Sequence, residues 1–141
     1  MIDALKIAAI TGKEPTKEQI AIIESPLEPA VIIAGAGSGK TETMATRVLW
    51  LVANGHAKPE EILGLTFTRK AAGELKKRIK DRLKQLRAAG LIDRNISIEV
   101  PVMTYHSYAA NILREYGLRL GIDTDSELIG EAVVWQQTAK F

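Results

Sequence analysis

The stretch of this chain best suited to chemistry is rich in glycine and ends in a lysine and a threonine: Ala34, Gly35, Ala36, Gly37, Ser38, Gly39, Lys40, Thr41. Glycines let several backbone N–H groups converge on one anion, because no side chain blocks the approach. Lys40 supplies a positive charge suited to β- and γ-phosphates, and the Thr41 hydroxyl can ligate Mg²⁺. We therefore predict that residues 36–41 bind ATP with Mg²⁺, with Lys40 and Thr41 as the catalytic pair.

Such a loop works only between a strand and a helix, and the flanking sequence has both patterns. The apolar run Ala30–Ala34 predicts a buried strand of a parallel sheet. From Lys40 to Ala53, four apolar residues repeat at helical spacing, namely Met44, Val48, Leu51 and Val52. In this setting the glycine-rich turn favours an anion at the helix N-terminus, where unpaired N–H groups and the helix dipole are attractive.

The strand–helix alternation continues along the chain. Residues 62–67 and 98–103 predict two more strands, with Pro101 favouring an edge position or a bulge in the second. Helices are predicted for 16–25, for 69–89 after an N-cap at Thr68, for 105–120 and around 128–137, whereas residues 1–14 are weakly patterned and are expected to be a mobile lead-in. This order predicts an α/β fold with a largely parallel sheet.

Composition sets broad limits on the class of protein. The chain has 141 residues, of which 46% are hydrophobic and 26% charged, as in soluble globular domains. It has no cysteine, which excludes disulfides and thiolate sites, and its two histidines, His56 and His106, have no ligand cluster beside them. No apolar run approaches the ~20 residues of a membrane span, and no signal peptide is visible. We expect a cytoplasmic protein without a membrane partner.

Positive charge is concentrated in one predicted helix. Nine of the 19 Lys and Arg residues lie between Arg69 and Arg87, and only Glu74 and Asp81 oppose them within that stretch. Such a run is either an ordinary solvated helix face or a surface that binds nucleic-acid phosphates, and the run alone does not decide between them.

Polar and aromatic residues follow the later strands, where open α/β sheets bind ligands. Phe67 and Thr68 precede the basic helix, and Thr104-Tyr105-His106-Ser107 follows the third predicted strand. These groups could hold a phosphate or stack on a base. Each also has a structural interpretation: the aromatic rings as core, His106 as a structural histidine, Thr68 as a helix cap. Gln19 could read an adenine edge, or complete a capping box with Thr16.

Taken together, four segments resemble the UvrD/Rep/PcrA-type superfamily 1 DNA helicases. Residues 16–19 resemble the family's Q motif, 34–41 its motif I in the form that begins with alanine, 65–72 its motif Ia, and 103–107 its motif Ib. Three positions depart from the family pattern: Arg69 stands where the family usually has Asn, Tyr105 where it usually has Phe, and Glu42 where it often has Arg.

The resemblance implies a RecA-like P-loop motor domain and an ATP-dependent helicase that moves along single-stranded DNA, 3′ to 5′, in repair or recombination. It implies that Gln19 contacts adenine. It further implies that single-stranded DNA is bound by residues following the strands: Phe67, Thr68, Arg69, Thr104, Tyr105 and His106.

ATP hydrolysis also needs an acidic residue on Mg²⁺, a carboxylate that orients water and arginines on the γ-phosphate. No apolar strand ending in Asp-Glu is present in the sequence. We therefore expect an N-terminal piece of such an enzyme that binds nucleotide without turning it over: a lead-in (1–15), part of the motor domain (16–120) and the start of an inserted helical subdomain (121–141). Two alternatives stay open, a non-catalytic nucleotide- and DNA-binding module and a P-loop ATPase or kinase of another class. The oligomeric state is not indicated.

Overall fold

Five α-helices and two short β-strands occupy residues 1–121, the part of the chain that this computed structural model describes. They are α1 (Ala4–Thr11), α2 (Lys17–Ile23), α3 (Lys40–Ala53), β1 (Gly64–Thr66), α4 (Arg69–Ala88), β2 (Val102–Thr104) and α5 (Tyr105–Tyr116), with 3₁₀ turns at Pro59–Glu61 and Gly117–Leu120. Contacts divide the chain into two compact units, 1–103 and 104–141, and each is described by itself.

Side-chain caps fix where the helices begin. Thr16, Thr68 and Thr104 each accept a hydrogen bond from the backbone N–H three residues on, at the starts of α2, α4 and α5. These bonds satisfy donors that have no partner inside the helix. The predicted helices at 16–25, 40–53, 69–89 and 105–120 are confirmed, although the last four residues of the final one form a 3₁₀ turn.

The core of the first unit lies between the helices. The buried residues of α4, Ala72, Leu75, Ile79, Leu83 and Leu86, follow helical spacing and form one face. They pack in one cluster with Ile7 of α1, Ile23 of α2 and Leu49 of α3. Met44, predicted to belong to the apolar face of α3, is instead 46% exposed. This core sets the position of α3, and so of the loop that precedes it.

The lead-in expected over residues 1–15 instead contains α1. Its N-cap is Asp3, and Gly12 ends it in the left-handed conformation, with φ +78°. Asn54, just after α3, holds the residues before α1. Its side chain accepts from the Ile2 N–H at 2.7 Å and donates to the Ile2 carbonyl at 2.9 Å. A helix of eight residues gains most of its stability from packing, and its apolar residues lie on all sides, so the sequence shows no distinct buried face.

The strand predicted for Ala30–Ala34 is wrong for this structure. The segment is irregular, and Val31 and Ile33 are 89% and 94% exposed. A strand needs a neighbouring strand for its hydrogen bonds, and within residues 1–121 none lies beside this segment. The apolar run by itself does not show whether a second strand is available for pairing.

The sheet in the described residues consists of β1 and β2. The Gly64 N–H donates to the Pro101 carbonyl at 2.8 Å, and the Val102 methyl groups lie 3.2 and 3.3 Å from where a Cβ at position 64 would be. A side chain at position 64 would therefore require the Val102 side chain to shift by a few tenths of an ångström. The strands are shorter than predicted, 64–66 and 102–104, and the architecture is α/β with a small sheet flanked by helices.

Two further expectations concern the helix predicted near the end of the sequence and the membrane. The helix predicted around 128–137 lies outside the described residues, so the division of the chain at residue 120 stays a prediction. Over the described residues, no helix has the length and apolar character that crossing a membrane requires.

Candidate functional site

The glycine-rich loop has the backbone conformation that an anion cradle requires. Gly37 and Gly39 adopt left-handed φ values of +75° and +83°, which residues with a Cβ rarely adopt. Helix α3 follows at once, and the Thr43 N–H is bonded to the Gly39 carbonyl at 2.9 Å. The N–H groups of the first turn, which precede Thr43, stand at the positive end of the helix dipole. Such N–H groups at a helix N-terminus are the donors that phosphate-binding loops use.

The two polar side chains at the start of α3 suit a Mg²⁺-bound triphosphate. The Lys40 ammonium lies over the loop and donates to the Ala34 and Gly35 carbonyls at 2.8 and 2.6 Å. Ala34 and Gly35 are exposed, so water can bond to their carbonyls if Lys40 turns towards a phosphate. The Thr41 side chain is exposed beside it. Lys40 would hold the phosphates and Thr41 the metal ion, as their chemistry predicts.

Gln19 contacts this loop from helix α2. Its side-chain oxygen accepts from the Thr16 N–H at 3.0 Å, which completes the predicted capping box, and its Nε2 donates to the Ser38 carbonyl at 3.1 Å. The amide nitrogen also lies 3.0 Å from where a Cβ on Gly39 would be. An amide has two donors and two lone pairs, so each end of Gln19 keeps one for a ligand. The cap therefore does not exclude the adenine contact.

Two cavities share Gln19 and Ser38 in their walls. One, of about 390 Å³, is also lined by Lys13, Gly37 and Thr46, and the other, of about 330 Å³, by Ile32, Lys40 and Met44. Both volumes are within the range of about 300–1,000 Å³ that small-molecule sites occupy. The junction between α2 and the loop therefore has room for a nucleotide base or sugar.

Arg47 joins α2 to α3, and no pattern in the sequence indicates this role. Arg47 of α3 donates from Nη1 to the Ile22, Ile23 and Ser25 carbonyls at 2.8, 3.1 and 3.0 Å and to the Ser25 hydroxyl at 2.8 Å. Its Nη2 donates to the Pro26 carbonyl at 3.0 Å. The final carbonyls of a helix have no partner inside it, and a cation is favourable there. Arg47 therefore holds the helix that carries Gln19.

Most of the positive charge of α4 is used inside the protein. Five of its nine basic residues form ion pairs, Lys76 and Lys80 with Glu99, Arg78 and Arg82 with Glu42, and Lys84 with Asp81. Arg87 donates to the Ile96 carbonyl. Arg69, Lys70 and Lys77 form neither an ion pair nor a side-chain hydrogen bond with residues 1–121, and all three are exposed. Three cations of α4 are therefore free for phosphates, while the other six already have a partner within the protein.

Glu42 is the acidic centre of this arrangement. Its carboxylate is 16% exposed and binds Arg82, Arg78 (3.2 Å) and Lys13 (3.6 Å). Desolvation raises the pKa of Glu42, but the hydrogen bond and charge of Arg82, with Lys13 and Arg78, outweigh it, so the pKa is below its ordinary value of 4.5. The resulting stabilisation is therefore present above pH 4.5 and is lost as the pH falls through the lowered pKa.

The residues proposed from motif Ia lie where α4 begins. Phe67 is 87% exposed, Thr68 caps the helix through its hydroxyl, and Arg69 is its exposed first residue. In the second unit, the buried Thr104 caps α5, and Tyr105 and His106 are exposed in its first turn. The structural interpretation of Thr68 as a cap is confirmed, while Phe67 and Tyr105, at 87% and 49% exposure, are not core residues.

Comparison with known proteins identifies relatives of most of this chain. The family model for the UvrD/REP helicase N-terminal domain matches residues 15–140. The chain is 36% identical over 112 residues to "ATP-dependent DNA helicase UvrD2" of Mycobacterium tuberculosis, an alignment that covers 79% of this chain and 15% of that protein. It is 34% identical over 123 residues to "ATP-dependent DNA helicase PcrA" of Bacillus subtilis, covering 87% and 15%.

A third protein is also similar to part of this chain. "ATP-dependent DNA helicase SRS2" of Saccharomyces cerevisiae is 39% identical over 100 residues, which are 71% of this chain and 8% of that protein. The chain thus spans no more than 15% of the length of these three relatives. The glycine-rich loop, the capping glutamine and the family match agree, and the chain belongs to the UvrD/Rep helicase family, in the region of its N-terminal domain.

Proposed function

We propose that this chain is the ATP-binding part of an ATP-dependent DNA helicase that moves 3′ to 5′ along single-stranded DNA in repair or recombination. The loop belongs, on this proposal, to a RecA-like motor domain over residues 16–120. The contact between Gln19 and Ser38 carries the proposal, because it joins an adenine-reading amide to a loop shaped for phosphates. The names of the relatives support the helicase activity.

Adenine recognition is tested with Gln19→Glu. Glutamate also completes a capping box, so the helix start is kept, but the amide donor to Ser38 and to the base is lost. We expect the preference for Mg·ATP over Mg·GTP to fall by about tenfold, the value of one lost hydrogen bond of about 1.4 kcal/mol. Titration of the 141-residue chain with fluorescent analogues of both nucleotides measures it.

The control for this experiment is Gln85→Glu, the same substitution at an exposed glutamine of α4 that lines neither cavity. It should leave both nucleotide affinities unchanged. An unchanged ATP preference in a folded Gln19→Glu chain would show that Gln19 only caps α2, and the adenine contact would be withdrawn.

Single-stranded DNA is proposed to contact the first half of α4. Lys70 and Lys77 are seven residues apart and so lie on one face of the helix, and Arg69 is adjacent to Lys70. Phe67 lies just before them and presents an exposed ring on which a base can stack. Motif Ib, with Thr104, Tyr105 and His106, is proposed to contribute further contacts.

The salt dependence of DNA binding tests which lysines take part. Single strands give a slope of about −0.7 for each phosphate neutralised, so three free cations predict about −2 in log K against log salt, whereas nine would give about −6. Lys77→Ala should reduce the slope by about 0.7. Lys84→Ala, which removes a lysine already paired with Asp81, should leave it unchanged. Equal effects of the two variants would contradict this assignment.

A further inference from the structure

The carboxylate of Glu42 joins three segments that have different places in the proposed function. Glu42 is two residues after Lys40, in the first turn of α3. Arg78 and Arg82 are four residues apart on α4, and so lie on one face of that helix. Lys13 belongs to the connection between α1 and α2, just before the cap at Thr16. One side chain therefore links the phosphate loop, the basic helix and the approach to Gln19.

These contacts are not ordinary surface ion pairs. The side chains of Glu42 and Arg82 are 16% and 12% exposed, and Arg78 is 37% exposed. Salt and water screen such charges much less than exposed ones. If α3 moved without α4, the largely buried pair of Glu42 and Arg82 would be broken, which is unfavourable. The first turn of α3 and the middle of α4 are therefore expected to move together.

Helix α4 carries the proposed DNA contacts at its other end. Arg69 and Lys70 are its first residues. Further along the same helix, near Arg78, the side chains of Leu75 and Ile79 are packed in the core. A helix transmits a displacement along its length because its backbone is hydrogen-bonded throughout. A change at the phosphate loop thus has a rigid route from Glu42 to the amino end of α4.

We propose that Glu42 is a positioning residue that couples nucleotide binding at the loop to the affinity of α4 for single-stranded DNA. The proposal rests on the proposed function, since it needs both ligands. It assigns a role to Glu42, which stands where the family often has Arg, and to two arginines of a basic run that the sequence left open as a solvated face or a DNA-binding surface.

The test measures coupling, not activity. The affinity of the 141-residue chain for a fluorescent oligo-dT is measured with and without Mg·AMP-PNP, and the affinity for nucleotide is measured with and without oligo-dT. Coupling between sites is reciprocal, so both ratios must agree. We expect a ratio of about fivefold or more in the wild-type chain, in the usual range of site coupling. In Glu42→Gln it should fall below about twofold, while each affinity measured alone changes less than the ratio.

Two further variants separate positioning from folding. Glu74→Gln removes an exposed carboxylate from α4 itself and should leave the ratio unchanged. Arg78→Gln keeps the pair of Glu42 with the more buried Arg82, so it tests the link if Glu42→Gln does not fold, and it should lower the ratio partially.

The outcomes distinguish the two proposals. A wild-type chain that binds neither ligand overturns the proposed function and this inference with it. If the wild-type chain binds both ligands with a ratio near one, the inference alone is overturned. It is also overturned if folded Glu42→Gln and Arg78→Gln both keep the wild-type ratio. Loss of the ratio in these variants, with Glu74→Gln unaffected, supports it.

Discussion

Lys40→Ala is expected to weaken binding of a Mg·ATP analogue to this chain by roughly 100-fold, or about 3 kcal/mol. The lysine ammonium lies over the loop, where it donates to the Ala34 and Gly35 carbonyls at 2.8 and 2.6 Å. Those carbonyls belong to exposed residues and can bond to water when the lysine is gone. The free energy of unfolding without nucleotide should therefore change by less than about 0.5 kcal/mol. Calorimetric titration and urea denaturation measure the two quantities.

Lys6→Ala provides a matched control for the Lys40 variant. Lys6 is an exposed lysine on α1, and the substitution makes the same change in net charge. It should leave the nucleotide affinity within about twofold of the wild-type value. Equal losses in the two variants would mean that net charge, not the loop, governs binding, and the phosphate site at Lys40 would have to be abandoned.

Arg47→Met should cause the largest loss of stability among the polar substitutions considered. The guanidinium donates to four carbonyls and one hydroxyl at the end of α2, at 2.8 to 3.1 Å. Hydrogen bonds from a charged donor contribute about 1.5–3 kcal/mol, and several are lost together while methionine keeps the packing of the stem. We expect the free energy of unfolding to fall by about 2–3 kcal/mol, measured by urea denaturation.

Arg94→Met is the control for this effect, since Arg94 is an exposed arginine in the loop before β2. Its stability should stay within about 0.5 kcal/mol of the wild type. Arg47→Lys should recover less than half of the loss, because an ammonium cannot reproduce the planar set of donors. If Arg47→Met were as stable as Arg94→Met, the hydrogen bonds at the end of α2 would contribute no net stability.

Local signals in the sequence were sufficient for four of the five helices in residues 1–121. Thr16 and Thr68 cap the helices they were expected to cap, and Lys40–Ala53 has the predicted bounds. Each depends on contacts within a few residues, which the sequence displays directly. The helix missed at 4–11 also has local signals, Asp3 at its start and Gly12 after its end, and attention to both caps would have found it.

Contacts between distant residues were not predictable in this way. Glu42 meets Arg78 and Arg82 across 36 and 40 positions of sequence, and Glu99 meets Lys76 and Lys80 from the segment before β2. A count of charges within α4 cannot include these carboxylates, so it does not show how many of the basic residues are paired. The strand at 30–34 failed for the same reason, since pairing depends on a neighbour and not on the run itself.

The exposed segment 30–34 has a consequence for work with the purified chain. Val31 and Ile33 face solvent, and the backbone between them forms no ladder with residues 1–121. A β-branched, uncharged stretch in that condition is a template on which a second molecule can add, and so a starting point for aggregation. Pro29, which has no N–H, protects one end of the stretch, and a lysine introduced at position 31 would act as a gatekeeper without touching the core.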